Sequence, residues 1–147
     1  MGEGSSERPD RYTNTAAWQS GPEVPMPATG PRILSFGAHE HVAKVVQNAM
    51  RSAGFRGTAI GIADDAASDE RLLKVLHEDV YDAVTFGAFL TAQDPSATAT
   101  EESTRWFNRV LNLVHQVAPM ARIVLVRGPE HALADIRRVL AESAPGA

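Results

Sequence analysis

The chain reads Arg-Ile-Leu-Ser-Phe-Gly-Ala at residues 32–38 and Asp-Ala-Val-Thr-Phe-Gly-Ala at residues 82–88. Both stretches are short apolar runs that end in the same Phe-Gly-Ala tripeptide, a pattern typical of a buried strand that stops at a tight turn. Two more short apolar runs occur at residues 58–63 and 123–126. Amphipathic segments with apolar residues at helical spacing separate the runs. This alternation predicts a parallel sheet with helices on both of its faces.

The limits of the helices are also marked in the sequence. Gly54 is a suitable end for the first helix, Ser68 a suitable N-cap for the second, and Pro119 a stop for the third, while Gly128-Pro129 opens the last. The four consecutive branched residues at 123–126 suit a strand buried on both faces. We therefore predict an α/β fold of three layers (αβα), with a doubly wound, mostly parallel four-stranded sheet of order 2-1-3-4, Rossmann-like or flavodoxin-like.

The domain organisation follows from a change of composition near residue 32. Residues 1–31 hold five of the nine prolines, so we expect a flexible Pro/Gly-rich leader there. Residues 32–142 form one Rossmann-like α/β domain in this interpretation, and residues 143–147 a frayed tail. Tyr12 and Trp18 are unusual in a solvating leader, and they are candidates for pinning it to the domain or to a partner subunit.

Composition excludes several classes of function. The net charge of -4, with acidic and basic residues interspersed, is not that of a nucleic-acid-binding protein. No apolar run is long enough to span a membrane, and the chain has no cysteine for a disulfide or a thiolate metal site. We therefore predict a cytoplasmic protein that binds a small molecule or a protein partner. A homo-oligomer is a further expectation, because a four-stranded sheet has edge strands that a second subunit can cover.

A binding site is expected where the strand order reverses, between the first and third strands. Gly37-Ala38 and Gly87-Ala88 follow these strands, so two loops of small residues would face each other across a crevice. A nucleotide or another anion could approach the backbone closely there. Asp64 and Asp65 follow the second strand, and we include them among the candidate cofactor-binding residues.

Histidines at the same edge raise an alternative function. His39, His41 and His131 are candidate catalytic residues, as general bases near neutral pH, with Asp64 as a carboxylate partner. Asp94, Arg127 and Glu130 are expected at this edge as well. We predict no metal site, because alternate residues of an extended His39-Glu40-His41 segment point apart. The alternative function that these histidines suggest is a small enzyme that uses the same edge. It would be a His-based or metal-assisted hydrolase, or an NAD(P)-linked oxidoreductase remnant.

Residues 32–38, 81–88 and 108–126 resemble the short-chain dehydrogenases/reductases in their strands, turns and the Asn-x-x-Leu-Asn-Leu helix. The resemblance implies a Rossmann domain, with NAD(P) or another nucleotide as cofactor and Asp64 or Asp65 near an adenosine ribose. The chain lacks the family's further fingerprint glycines, since residues 39–43 read His-Glu-His-Val-Ala. It also lacks the catalytic Tyr-x-x-x-Lys pair after the fourth strand, so a complete dehydrogenase of this type is excluded.

The chain also resembles two other families, and in both cases it lacks the residues that carry out the family's chemistry. A response-regulator receiver needs acidic residues where Gly37-Ala38 and Gly87-Ala88 stand. An esterase of the Gly-Asp-Ser type is similar at Ile-Leu-Ser-Phe-Gly, but Ala38-His39 replace its Asp-Ser, and no Asp-x-x-His follows. From the sequence we therefore favour a non-catalytic or regulatory module, with its binding site at the C-terminal edge of the sheet.

Overall fold

A computed structural model describes residues 11–142 of the chain. Four strands and four helices alternate in it, preceded by a 3-10 helix at Thr15–Trp18. The strands are β1 (Arg32–Gly37), β2 (Arg56–Gly61), β3 (Ala83–Phe86) and β4 (Arg122–Leu125). The helices are α1 (Glu40–Ser52), α2 (Ala66–Glu78), α3 (Glu101–Val117) and α4 (Ala132–Glu142). No helix of the described residues is both long and apolar enough to cross a membrane.

The sheet confirms the predicted topology. Its order is β2-β1-β3-β4, and every described pair of neighbouring strands is parallel. Phe36 of β1 lies opposite Phe86 of β3, so the two Phe-Gly-Ala turns leave the sheet side by side. The strand order reverses between these two strands, which places a crevice at their C-terminal ends.

Helices cover both faces of the sheet, as predicted. On one face α1 and α4 pack over Ile33, Ala59, Ala83 and Val124. On the other face α2 and α3 pack over a second cluster that includes the fully buried Phe36 and Phe86. The alternation of side chains along each strand sends neighbouring residues to opposite layers, so both cores are built by the same four strands.

Three sequence-based expectations were wrong in detail. β4 is an edge strand: Val124 is buried under α4, but Ile123 and Leu125 on the opposite face remain 37% and 42% exposed. Asp65, not Ser68, is the N-cap of α2, and its carboxylate accepts a bond from the Ser68 backbone N–H. Residues after Gly128 form a short 3-10 helix, Pro129–His131, before α4 begins. In each case the type of element was predicted correctly. Tertiary packing decided which face of β4 is covered, which residue caps α2 and where α4 begins.

The described part of the leader, residues 11–31, lies against the domain. Tyr12 is only 2% exposed. The Asn48 side chain on α1 accepts a bond from the Val24 N–H at 2.9 Å, and Arg51 donates to the Val24 carbonyl at 2.9 Å. The flexible leader we expected is therefore packed over this range, because its backbone groups find partners on α1. Residues 1–10 and the tail 143–147 lie outside the described residues.

Gly30 shows how closely this segment approaches the domain. Its φ of +113° is accessible mainly to glycine, and a Cβ added there would lie 2.2 Å from the Gly54 carbonyl oxygen. Gly54 itself follows α1 with a φ of +92°, which ends the helix in the left-handed conformation. The two glycines thus allow the leader to enter β1 directly beside the end of α1.

Candidate functional site

The crevice at the C-terminal edge is built from the two Phe-Gly-Ala turns. Gly37, Ala38, Gly87 and Ala88 all line it, so the structure brings together these four candidate residues. The Gly87 N–H donates to the Phe36 carbonyl at 2.8 Å, which holds the turns side by side. The remaining lining residues come from α1, from the loop after β3, from the 3-10 helix before α4, and from the leader: His39, Val42, Phe89, Pro129 and Tyr12.

Tyr12 of the leader closes the mouth of this crevice. Its ring centroid lies 5.3 Å from that of His39, and 6.1 Å from that of Phe89 in an edge-on arrangement. Trp18, after one turn of 3-10 helix, packs on the same ring at 5.2 Å. These separations are those of favourable aromatic pairs. With Tyr12 in place, the free space at the mouth is only about 30 Å³.

The tip of Tyr12 is fixed by a buried carboxylate. Asp94, in the loop between β3 and α3, is 1% exposed, and it accepts hydrogen bonds from the Tyr12 hydroxyl and from Arg11 Nε. It also accepts bonds from the Ser96 N–H and hydroxyl, at 2.9 and 2.7 Å. Burial alone would raise the pKa of Asp94, but the bonds from Ser96 and Tyr12 and the charge of Arg11 outweigh it and lower the pKa to about 2. Asp94 is therefore an anion at neutral pH.

The same cluster raises the pKa of the Tyr12 phenol. Burial is the larger cause, and the hydrogen bond to the Asp94 carboxylate acts in the same direction. The phenol thus remains protonated and donates to the carboxylate. It is a poor acid or base at neutral pH, so its role in the crevice is structural.

Arg11 links the cluster to the 3-10 helix before α4. Its guanidinium donates to the Glu130 carboxylate at 3.2 Å and to the Tyr12 hydroxyl at 2.7 Å. The guanidinium carbon also lies 4.7 Å from the centroid of the Tyr12 ring. Burial would raise the pKa of Glu130, but hydrogen bonds, including that from Arg11, lower it. Arg11 and Tyr12 therefore engage the domain as a unit.

An apolar pocket of about 40 Å³ adjoins the crevice and shares Gly37, Val42, Gly87 and Pro129 with it. Its walls come from α1, from Val126 just after β4 and from the start of α4, and its floor includes Ser35 of β1. The Thr85 hydroxyl donates to the Ser35 hydroxyl at 2.8 Å, and both residues are buried. A pocket of this size with a hydroxyl pair at its floor accommodates a small group or one or two waters.

The three candidate histidines do not share one site. His39 lines the crevice and is the N-cap residue of α1, and its ring lies 5.7 Å from that of His41. His41 Nε2 contacts the Tyr12 carbonyl oxygen. His131 lines a separate open depression together with Arg11, Ser96 and Arg127. Within residues 11–142, no three His, Asp or Glu side chains are placed to hold a metal ion.

The two carboxylates after β2 serve the α2–α3 layer. Asp64 accepts a bond from Arg109 of α3 at 2.8 Å, and Asp65 caps α2. Neither residue lines the crevice pockets. The Glu40 carboxylate, at the start of α1, accepts bonds from the Gly61 N–H and from Arg71, so it ties α1 to β2 and α2.

Sequence reasoning missed the Arg11, Tyr12 and Asp94 cluster as a unit. Tyr12 was noted as an aromatic residue in the leader, and Asp94 as a polar group at this edge, but they are 82 residues apart in the chain. The Asp94-Pro95-Ser96 turn carries a local signal, because Asp often accepts bonds from the backbone two residues later. Nothing in the sequence links that turn to the leader.

Comparison with known proteins adds little. No family model matches the chain, and no curated protein matches it. Among solved structures it is similar to a protein of Bacteroides fragilis NCTC 9343 provisionally described as an acylhydrolase, with 15% identity and a TM-score of 0.40, over 92% of this chain and 74% of that one. At this level of similarity the match identifies neither a family nor an activity.

Proposed function

We propose that this chain is a non-catalytic binding module whose crevice, between the Gly37 and Gly87 turns, binds a planar aromatic group with a hydrogen-bonding tip. The observation that carries the proposal is the position of Tyr12. Its ring closes the mouth of the crevice, its hydroxyl donates to Asp94, and the Arg11 guanidinium lies beside it. The chain's own leader thus indicates the chemistry that the crevice accepts.

Three properties of the crevice support a ligand of this kind. Glycine and alanine turns let a flat ring approach the backbone closely. His39 and Phe89 offer ring faces and edges for stacking. The buried Asp94 anion favours a donor at the tip of the ring, because loss of the Tyr12 bond removes one of the donors that compensate its burial. A free small molecule or an aromatic side chain of a protein partner can supply such a group after Tyr12 moves away.

The test removes the resident ring and supplies another. In Tyr12→Ala, p-cresol should raise the melting temperature in a saturable way, because a ligand that binds only the folded state adds RT ln(1+[L]/Kd) to stability. Toluene should raise it less, since it cannot donate to Asp94. In the double variant with Asp94→Asn, the advantage of p-cresol over toluene should largely disappear. The wild-type protein should respond weakly to both probes.

Tyr81→Ala is the matched control. Tyr81 is the chain's other tyrosine, 7% exposed, and it precedes β3 at the opposite end of the sheet. A peptide of sequence acetyl-Arg-Tyr-Thr-amide, which copies residues 11–13, should stabilise Tyr12→Ala and leave Tyr81→Ala unchanged. An equal response of the two variants to the peptide, or no response of Tyr12→Ala to any probe, would refute the proposal.

The same melting experiment separates the sources of the natural ligand. A panel of nucleotides and nicotinamide cofactors is titrated into wild-type protein and into Tyr12→Ala. Stabilisation of Tyr12→Ala by a member of the panel favours a small-molecule ligand. Stabilisation by the Arg-Tyr peptide alone favours an aromatic segment of a protein partner.

A further inference from the structure

The two edge strands of the sheet, β2 and β4, differ in whether side chains bond their outward backbone groups. At the β2 edge, the backbone groups that point away from β1 are bonded by side chains of α1 and α2. Arg51 donates to the Gly57 carbonyl, Gln47 accepts from the Ala59 N–H, Glu40 accepts from the Gly61 N–H and Arg71 donates to the Gly61 carbonyl. This edge therefore offers few free groups to another strand.

The β4 edge has no such cover among the described residues. The Arg122 and Val126 N–H groups donate inward, to the Asp82 and Phe86 carbonyls of the β3 strand. Because the direction alternates along a strand, the N–H and C=O groups of Ile123 and Leu125 point outward. No hydrogen bond within residues 11–142 reaches these outward groups from a side chain. With respect to residues 11–142, the outward backbone donors and acceptors of Ile123 and Leu125 are therefore open.

Apolar side chains accompany this open edge. Ile123 and Leu125 lie on the α2–α3 face of the sheet but remain partly exposed, and Met120 just before the strand is 78% exposed. Exposed apolar residues beside an unprotected strand are unusual in a protein that remains single in solution. Edge charges are few, since Arg122 is the one ionisable residue within β4.

We propose that β4 pairs with β4 of a second copy of this chain, antiparallel across a two-fold axis at Val124. In that register Ile123 of one copy faces Leu125 of the other, and the two residues exchange both outward backbone bonds, as antiparallel pairs do. The two-fold axis generates a second, identical pair, in which Leu125 of the first copy faces Ile123 of the second. The interface is therefore self-complementary. The apolar side chains of the two pairs meet on the open face of the sheet.

The charges at this edge permit a second copy, and the small buried area determines how weak the dimer is. In the proposed register Arg122 faces Val126 and Arg127 faces Ala121, so no like charges oppose each other across the axis. One short strand and a few apolar side chains bury less than the roughly 1,200 Å² of a standard stable interface. The dimer is therefore weak and forms only at high protein concentration.

The experiment is sedimentation equilibrium of the full chain over a concentration series from low micromolar to millimolar. The weight-average mass should rise from the monomer value of 15.8 kDa toward twice that value. Amide hydrogen exchange should slow at Ile123 and Leu125 as concentration rises, while Val124 should already be protected at low concentration. A mass that stays at 15.8 kDa throughout the series would overturn the proposal.

Variants separate this edge from other surfaces. Leu125→Pro removes an outward N–H that the domain's own ladder does not use, and it should weaken the dimer about tenfold or more while the circular dichroism spectrum is retained. Ile123→Lys provides a second test if the proline variant does not fold. Val80→Lys is the control, since Val80 is 84% exposed and lies outside β4. Dimerisation that survives both β4 variants, or that is lost in Val80→Lys, would place the contact elsewhere.

Discussion

Replacing Asp94 by asparagine should make the stability of the protein less sensitive to acid. The pKa of Asp94 is lowered in the folded state from 3.8 to about 2, chiefly by bonds from Ser96 and Tyr12 that outweigh burial. At about 1.36 kcal/mol for each pKa unit, the shift corresponds to roughly 2.5 kcal/mol of stability at neutral pH. The residue is 1% exposed, so solvent screening of this contribution is small.

The direction in which stability changes with pH follows from proton linkage. Below pH 4 the unfolded carboxyl binds a proton before the folded one does, so the wild-type protein loses this stabilisation as pH falls toward 2. Linkage with these two pKa values gives a loss of about 1 kcal/mol by pH 3 and about 2 kcal/mol by pH 2. Asp94→Asn has no such proton to bind. The difference in unfolding free energy between the two proteins should therefore shrink by about 1 kcal/mol between pH 6 and pH 3.

Urea unfolding of both proteins, followed by circular dichroism at pH 6 and pH 3, measures this difference. Glu101→Gln serves as the control, because Glu101 is 81% exposed and pairs with Arg105 across one helical turn. Its difference from the wild-type protein should stay within about 0.5 kcal/mol at both pH values. A difference between wild type and Asp94→Asn that is the same at pH 6 and pH 3 would refute the assigned role of the Asp94 carboxylate.

Other predictions concern stability alone and use the same urea unfolding. Gly30→Ala should destabilise the protein by about 1–3 kcal/mol, because of its positive φ and the contact with the Gly54 carbonyl, and a neutral result would show that the leader can shift there. Thr100→Ala removes the capping box with Ser103 at the start of α3 and should cost about 1 kcal/mol. Tyr12→Phe keeps the ring but loses the bond to a buried carboxylate, so it should cost about 1–3 kcal/mol, and unchanged stability would contradict that bond.

Much of the fold could be predicted because its signals are local. Short apolar runs, helical spacing and the Gly54 and Pro119 stops indicated the alternating elements, and the repeated Phe-Gly-Ala turns indicated which strand ends carry the crevice. Ser68 was predicted as the cap of α2, but Asp65, three residues earlier, is an equally good capping residue and holds that position. Local chemistry does not choose between adjacent capping residues, since tertiary packing sets where the helix begins.

Burial of β4 could not be predicted for a related reason. Four branched residues in a row suit a strand covered on both sides, but sequence does not state how far α3 extends across the sheet. The structure leaves one face of β4 open, so Ile123 and Leu125 carry a surface that the same pattern would bury elsewhere. The candidate dimer edge comes from that placement alone.

For the candidate site, too, some features follow from the sequence and others only from the tertiary structure. By itself the sequence determined the layered α/β architecture and the small residues at the strand ends, because these depend on periodicity and on turns a few residues long. The strand order was predicted from the usual topology of doubly wound sheets. Only the tertiary structure decided what fills the crevice. The bond between Tyr12 and Asp94 joins residues 82 positions apart, and such a contact forms only when the leader and the loop after β3 are packed on the same edge of the sheet.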